Sequence, residues 1–188
     1  MSSILDFNAS SVLFETPNGN GGLDIVAQPD SDNFIIISEV EGEASAANPG
    51  DDIVIGGNAL DFISTSDGDD IIIGNRGDDL IDGGAGSDII QGRDGDDIII
   101  GGKGSDLLSG GEGEDIFGFN ADDFSSGEVD SILDFEAGVD RVQINGVDPD
   151  RVTVEGSLIK LDGETIIELN GEAGTGSGAT DEDTFELF

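Results

Sequence analysis

The 188-residue chain contains no cysteine, no histidine, no tryptophan and no tyrosine, and it sets only 6 lysines and arginines against 43 aspartates and glutamates. Without cysteine or histidine, thiol chemistry, the usual zinc sites, a Ser-His-Asp triad and an HExxH metalloprotease motif are all excluded. The shortage of base leaves a formal net charge of −37, which repels phosphate, so neither nucleic acid nor an anionic membrane is expected as a partner. No run of 18 apolar residues occurs, and no transmembrane segment is expected. Residues 1–46 hold no Lys or Arg, and Met1 to Val12 offers neither the basic start nor the apolar stretch of a Sec-type signal peptide. If the protein is exported, the instruction is expected elsewhere. What the chain has in abundance is carboxylate oxygen and glycine, 31 residues of the latter. Its 36% hydrophobic content is enough for a core, whereas its 5% aromatics and extreme charge also suit a disordered chain, so periodicity must decide.

From Ala47 to Gly118 the chain divides into eight blocks of nine: ANPGDDIVI, GGNALDFIS, TSDGDDIII, GNRGDDLID, GGAGSDIIQ, GRDGDDIII, GGKGSDLLS and GGEGEDIFG. The sixth residue is always Asp: Asp52, Asp61, Asp70, Asp79, Asp88, Asp97, Asp106 and Asp115. The fourth is glycine at Gly50, Gly68, Gly77, Gly86, Gly95, Gly104 and Gly113, with Ala59 the exception. The eighth is always apolar, from Val54 through Ile63, Ile72, Ile81, Ile90, Ile99 and Leu108 to Phe117. Each block therefore reads as a glycine-rich turn of about six residues followed by a three-residue strand whose apolar eighth position faces a core. A solvated low-complexity linker has no reason to keep that position apolar.

Eight consecutive matches to GGxGxDxUx resemble the RTX, or hemolysin-type, calcium-binding nonapeptide repeat. The resemblance implies an all-β fold: a parallel β-roll, a right-handed solenoid with two strands per 18-residue coil. Odd blocks would stack Asp52, Asp70, Asp88 and Asp106 on one edge, and even blocks Asp61, Asp79, Asp97 and Asp115 on the other. Strands one coil apart are about 4.8 Å apart, so each edge aligns like charges whose repulsion costs roughly 1 kcal/mol per pair even in water. A hard dication with six to eight oxygen ligands reverses that repulsion, and calcium suits flexible carbonyl cages better than magnesium does.

By resemblance, each ion would take carbonyls from positions two and four plus the Asp of one turn, and carbonyls from positions one and three plus the Asp of the next turn on that edge. One such set is Gly84, Gly86, Asp88, Gly101, Lys103 and Asp106. Four turns per edge leave three gaps, so about five or six ions are expected. Residues 47–118 carry 17 acidic and 3 basic residues, a net −14, which +12 from six divalent ions nearly neutralises. Ala59 and Leu60 make the Asp61–Asp79 site the weakest, Pro49, Thr65 and Ser66 also depart from consensus, and the best sites are expected from Gly83 onward. Asp30-Ser-Asp32-Asn33 lacks the later Gly and Glu of an EF-hand, and Lys103-Gly104-Ser105 is no P-loop.

Position seven should point outward, yet it is apolar in every block. Ile53, Ile71, Ile89 and Leu107 form a stripe on one sheet, and Phe62, Leu80, Ile98 and Ile116 form one on the other. Flanking segments of the same chain are expected to cover them, with a partner or self-association surface as the alternative. Residues 1–46 read as a β-rich N-terminal cap, with apolar runs at Ser11 to Phe14, Leu23 to Val26 and Phe34 to Val40. Residues 119–170 read as a C-terminal cap. There Asp130 to Asp140 is similar to the segment that closes the roll in secreted family members, and strands at Val152–Val154, Leu158–Leu161 and Thr165–Leu169 follow, the last two joined across Asp162-Gly163.

Residues 171–188 read as a flexible linker followed by an acidic-hydrophobic tail, Asp181 to Phe188, which resembles the uncleaved signal read by type I secretion machinery. The expected protein is secreted to the extracellular space or the cell surface, folds on binding calcium there, and is not an enzyme, serving surface, adhesion or binding roles. The alternative is an accessory module of a secreted polysaccharide-modifying or hydrolytic enzyme. The 46 residues ahead of the repeats leave no room for a catalytic domain, and each well-placed Asp is committed to calcium rather than to paired-carboxylate glycosidase chemistry. An ice-binding face would need rows of outward Thr or Asn, which are absent.

Overall fold

Because Asp and the inward apolar residue recur every nine residues, alternate blocks can pair in register only if the chain reverses direction once per block. The computed structural model describes residues 49–171 and the backbone of five flanking strands. The flanking strands before the repeats are β1 (Ser11–Leu13), β2 (Asp24–Val26), β3 (Asn33–Ile36) and β4 (Glu43–Ala46). The repeats form β5 (Ile53–Ile55), β6 (Asp61–Ser64), β7 (Ile71–Arg76), β8 (Leu80–Ala85), β9 (Ile89–Asp94), β10 (Ile98–Lys103), β11 (Leu107–Glu112) and β12 (Ile116–Asn120). After them come β13 (Asp130–Ile132), β14 (Arg141–Asn145), β15 (Val152–Glu155), β16 (Leu158–Leu161), β17 (Glu164–Leu169) and β18 (Phe185–Leu187).

Up to β15 the strands sort by parity into two sheets, one running β1-β3-β5-β7-β9-β11-β13-β17-β16-β15 and the other β18-β14-β12-β10-β8-β6-β4-β2, with β16 joining the odd sheet through its antiparallel hairpins. All pairs in the roll are parallel and offset by one 18-residue coil, as in Ile71↔Ile89 and Ile72↔Ile90, or Ile98↔Leu80. This is the expected all-β parallel solenoid. Its strands are longer than expected: β7 to β11 run six residues each. The ladder skips position one and resumes through positions two and three, as in Asn75↔Arg93 and Arg76↔Asp94. Only positions four to six are left as a turn, because the chain bends at position one without losing its hydrogen bonds to the neighbouring coil. Gly56 N, at position one, for example, still donates to Ile73 O at 2.7 Å.

Every position-eight side chain from Val54 to Phe117 is buried, at most 2% exposed, and together they form a single file between the two sheets. After β12 the file becomes bulkier. Phe119, Ile132, Phe135, Val142 and Ile144 join the core, and the Phe117 and Phe135 rings lie 6.4 Å apart between centroids. The antiparallel hairpin β16–β17 then turns through Asp162 and Gly163, whose φ values are 54° and 86°. Paired positive φ values mark the primed turn that suits a two-residue hairpin, as the Asp-Gly signal predicts.

The N-terminal flank extends the sheets rather than lying over them: β3 pairs with β5 and β4 with β6, both in parallel. The expected cover over the position-seven stripes is therefore not found among the described residues. Ile53, Ile71, Ile89 and Leu107 on one sheet and Phe62, Leu80 and Ile98 on the other are 36–45% exposed. The expected linker at 171–178 and most of the acidic tail lie outside the described residues, although the backbone of β18 pairs in parallel with β14. Among the described residues, no helix is long and apolar enough to cross a membrane.

The inward and outward positions make a paired prediction. Ile90→Ala, at a fully buried site, should cost ~2–5 kcal/mol of folding free energy through lost burial and a cavity. Ile89→Ala, next to it but facing out, should cost under ~1 kcal/mol. Denaturant melts of the two variants check the alternation, and equal losses would contradict it.

Candidate metal sites along the roll edges

At each turn, positions five and six carry N–H groups that no strand ladder reaches, and carboxylates satisfy them. The position-six Asp of each coil donates its backbone N–H to Oδ1 of the Asp one coil further on: Asp52 to Asp70 at 2.7 Å, Asp70 to Asp88 at 2.8 Å and Asp88 to Asp106 at 2.9 Å. On the other edge Asp61 bonds to Asp79 at 2.8 Å, Asp79 to Asp97 at 2.8 Å and Asp97 to Asp115 at 2.9 Å. Position five runs the opposite way, with Asp69 N donating to Asp51 Oδ1 at 3.0 Å and Asp96 N to Asp78 Oδ1 at 3.0 Å. Position five is Asp in four of the eight blocks, at Asp51, Asp69, Asp78 and Asp96, and that frequency is the sequence signal of this second ladder.

The position-six carboxylates are buried, all eight at 2% exposure or less. From Asp61 onward, one oxygen of each is held by the ladder or the turn. Asp61 Oδ1 and the Oδ2 atoms of Asp70, Asp79, Asp88, Asp97, Asp106 and Asp115 are buried with no hydrogen-bond partner. Leaving a charged oxygen so is costly unless a cation meets it. The surroundings fit one. A Cβ built on Gly83 would sit 2.5 Å from Asp88 Oδ2 and 2.8 Å from the carbonyl oxygen of Gly101 in the next coil, so the absent side chain leaves a cradle bounded by oxygen. Gly74 and Gly92 border the same arrangement, with the next coil's Gly92 and Gly110 carbonyls at 2.9 and 2.8 Å from their built Cβ positions. No three carboxylates converge on one point among the described residues, so each gap offers carboxylate oxygens supplemented by carbonyls. That donor set suits a hard cation of flexible coordination.

The resemblance named carbonyls at positions one to four, and the structure brings those residues to the gaps. Gly84 and Gly86 present their carbonyls to Gly102 and Gly104 of the next coil, close enough that a Cβ on either would collide with them. Lys103 O faces back and accepts from Gly86 N at 2.8 Å, keeping a second lone pair. The position-four glycines Gly50, Gly68, Gly77, Gly86, Gly95, Gly104 and Gly113 have φ between 117° and 148°, a region L side chains rarely adopt. Ala59 avoids that conformation, and its turn differs: Gly57 N donates to Asp61 Oδ2 at 2.7 Å, tying up the oxygen that elsewhere faces the gap. At the start of the third block, the buried Thr65 hydroxyl fills the cradle and donates to the Gly83 carbonyl.

Two residues that the sequence reading did not count as ligands continue the ladder beyond the eight blocks. Asp106 N donates to Asp130 Oδ1 at 2.9 Å and Asp115 N to Asp140 Oδ1 at 3.2 Å. Both are buried and both stand two residues before a buried apolar one, Ile132 and Val142. Residues 135–143, FEAGVDRVQ, even keep the position-four glycine, Gly138, with φ 86°. Six extra residues after Gly118, and a seventh before Phe135, shift the frame and hide these degenerate blocks. Phe135 occupies the first position of the second one and plugs the core where a repeat would have glycine.

Burial raises the carboxyl pKa along both edges. Asp79, Asp88 and Asp115 are pushed up to about 7, first by desolvation and then by neighbouring carboxylates, against the lowering effect of the ladder N–H. Asp97 and Asp106 rise to about 6 and Asp130 to about 7, again chiefly through desolvation.

Among families of known proteins, the RTX calcium-binding nonapeptide repeat, a unit of four copies, matches residues 47–81 and again residues 82–117. No curated protein matches the chain.

Two predictions follow from the turn geometry and its charge. A carboxyl whose folded pKa exceeds the ordinary value near 3.8 binds its proton more tightly in the roll than in the unfolded chain, so that stabilisation is complete at low pH and is lost as pH rises through about 6 to 7. In chelator, the metal-free roll should therefore gain β-structure on acidification from pH 8 toward pH 5, as read by circular dichroism. Gly86→Ala should cost ~1–3 kcal/mol from backbone strain alone, and more from its overlap with the Gly68 carbonyl, whose carbon would lie 2.6 Å from the new Cβ; a calorimetric scan in calcium would show the lowered transition.

Proposed function

We propose that this chain, whose residues 47–81 and 82–117 match the RTX calcium-binding nonapeptide repeat, is a calcium-binding repeat protein that is secreted, folds on the calcium it meets outside the cell, and acts there by binding rather than by catalysis. The observation that carries the proposal is the row of buried carboxylate oxygens without hydrogen-bond partners at Asp79, Asp88, Asp97, Asp106 and Asp115, each beside a glycine whose Cβ would fill the space against it. Between the turns of Gly86 and Gly104, the proposed ligands are the carbonyls of Gly84, Gly86, Gly101 and Lys103 with Asp88 and Asp106, and the same positions repeat along both edges. Each bound ion supplies two positive charges between stacked carboxylates. The chain contributes the spacing, the burial and the fixed carbonyls. The Thr65 hydroxyl and the Gly57–Asp61 bond occupy donor groups in two of the six gaps of the eight blocks, which favours the sites from Gly83 onward as the strongest of the five or six proposed.

Ligands that bind only the folded form stabilise it in proportion to the logarithm of their concentration. Sites with dissociation constants of about 10⁻⁴ to 10⁻³ M, the range of extracellular calcium modules, leave the chain unfolded at cytosolic calcium, as passage through a type I export channel requires. The acidic-hydrophobic tail from Asp181 is the proposed export signal. The two outward apolar stripes, exposed on both sheets, favour a surface or adhesion role through contact with a partner or another copy.

Equilibrium dialysis tests the calcium reading: about five or six or more ions bound at millimolar calcium, and no comparable binding of magnesium. Fewer than two bound ions would refute it. Export is tested separately, by removing residues 181–188 in cells that carry a type I system. The truncated chain should stay inside yet still fold in calcium, and undiminished export would refute the signal.

A further inference from the structure

The nonapeptide blocks end at Gly118, but the stacking that builds the gaps does not. On the odd edge, β13 pairs in parallel with β11 through Leu107↔Ser131 and Leu108↔Ile132, placing Asp130 one coil beyond Asp106. The joining hydrogen bond, Asp106 N to Asp130 Oδ1 at 2.9 Å, has the length of the interior bonds between repeats, such as Asp88 to Asp106 at 2.9 Å. Asp130 is as buried as the repeat aspartates, at 2% exposure.

Independently of that cluster, the Asp106 Oδ2 atom is buried without a partner on a residue 1% exposed. It stands beside the Cα of Gly101 as Asp88 Oδ2 stands beside Gly83, and Asp88 Oδ2 faces the coil that follows, where it shares a cradle with the Gly101 carbonyl. The coil that follows Asp106 is the one that carries Asp130. We propose that the gap between the turn 101–106 and the turn 125–130 is a further divalent-cation site, with Asp106 and Asp130 as its carboxylates, outside the residues matched by the repeat family. The inference rests on the calcium reading above and adds a site at the junction of roll and cap. Binding there ties the C-terminal flank to the seventh block, the last on this edge, so the cap is ordered by the same cation as the roll.

An interior Asp borders two gaps and Asp130 only one, which sets the arithmetic of the test. Ions bound to the full chain at saturating calcium are counted by native mass spectrometry for the wild type, Asp97→Asn and Asp130→Asn; Asn keeps the Oδ1 acceptor of the ladder. The expected result is a loss of two ions in D97N and one in D130N, with the calcium-induced β signal of D130N retained. A D130N chain that binds as many ions as the wild type, while D97N loses two, overturns this site and leaves the calcium reading standing. A wild type that binds none overturns both. Should D130N fail to fold, wild-type crystals soaked in terbium decide instead: an anomalous peak between Asp106 and Asp130 is expected, and peaks confined to the gaps among the eight blocks overturn the proposal.

Discussion

Stacked carboxylates one strand spacing apart are the constraint on which the roll depends. The parallel ladder brings Asp52, Asp70, Asp88 and Asp106 into one buried row and Asp61, Asp79, Asp97 and Asp115 into another, and each added coil adds another charge to it. Burial makes this worse, since desolvation is the largest cause of the raised pKa at Asp79, Asp88 and Asp115. The same carboxylates cannot simply be replaced, because each one from Asp70 onward accepts a turn N–H of the preceding coil that no strand ladder reaches. The roll therefore needs its aspartates for geometry and needs something to neutralise them for stability.

The remaining features follow from that tension. Glycine is needed at position four because the turn takes a positive φ and because the preceding coil's carbonyl lies where a side chain would be. The core is a single file of Ile, Val, Leu and Phe only one residue wide per strand, too narrow to outweigh a net −14 over 72 residues without counter-charge. Solenoids gain stability from neighbour contacts, so the end coils are the weak points. Here one end is extended by the N-terminal strands, and the other is plugged by Phe135 and closed by the β15–β17 meander.

Much of this was legible in the sequence because a strict nine-residue period leaves little choice. Position eight was readable as core and position six as a stacked carboxylate edge, and the Asp162-Gly163 hairpin was readable from its turn residues alone. The length of the strands was not, since glycine-rich segments look like turns although their backbones continue the ladder. Nor was the uncovered state of the position-seven stripes, because composition cannot say whether a β-rich flank lies over a sheet or extends it. Asp130 and Asp140 escaped because an insertion after Gly118 breaks the period. Only the spacing from Asp to a buried apolar residue two positions on survives to mark them. Thr65 and Ala59 were visible as departures, but what replaces the missing glycine at each, a hydroxyl on a carbonyl or an amide on a carboxylate, needed coordinates.

The claim that the carboxylate rows make the roll depend on divalent cation is tested most directly by far-UV circular dichroism of the full chain in chelator at pH 8, followed by addition of calcium. The account predicts a largely unfolded spectrum that converts to β-structure at sub-millimolar to millimolar calcium and responds little to magnesium. A β-sheet spectrum already complete in chelator at that pH, unchanged by calcium, would contradict it.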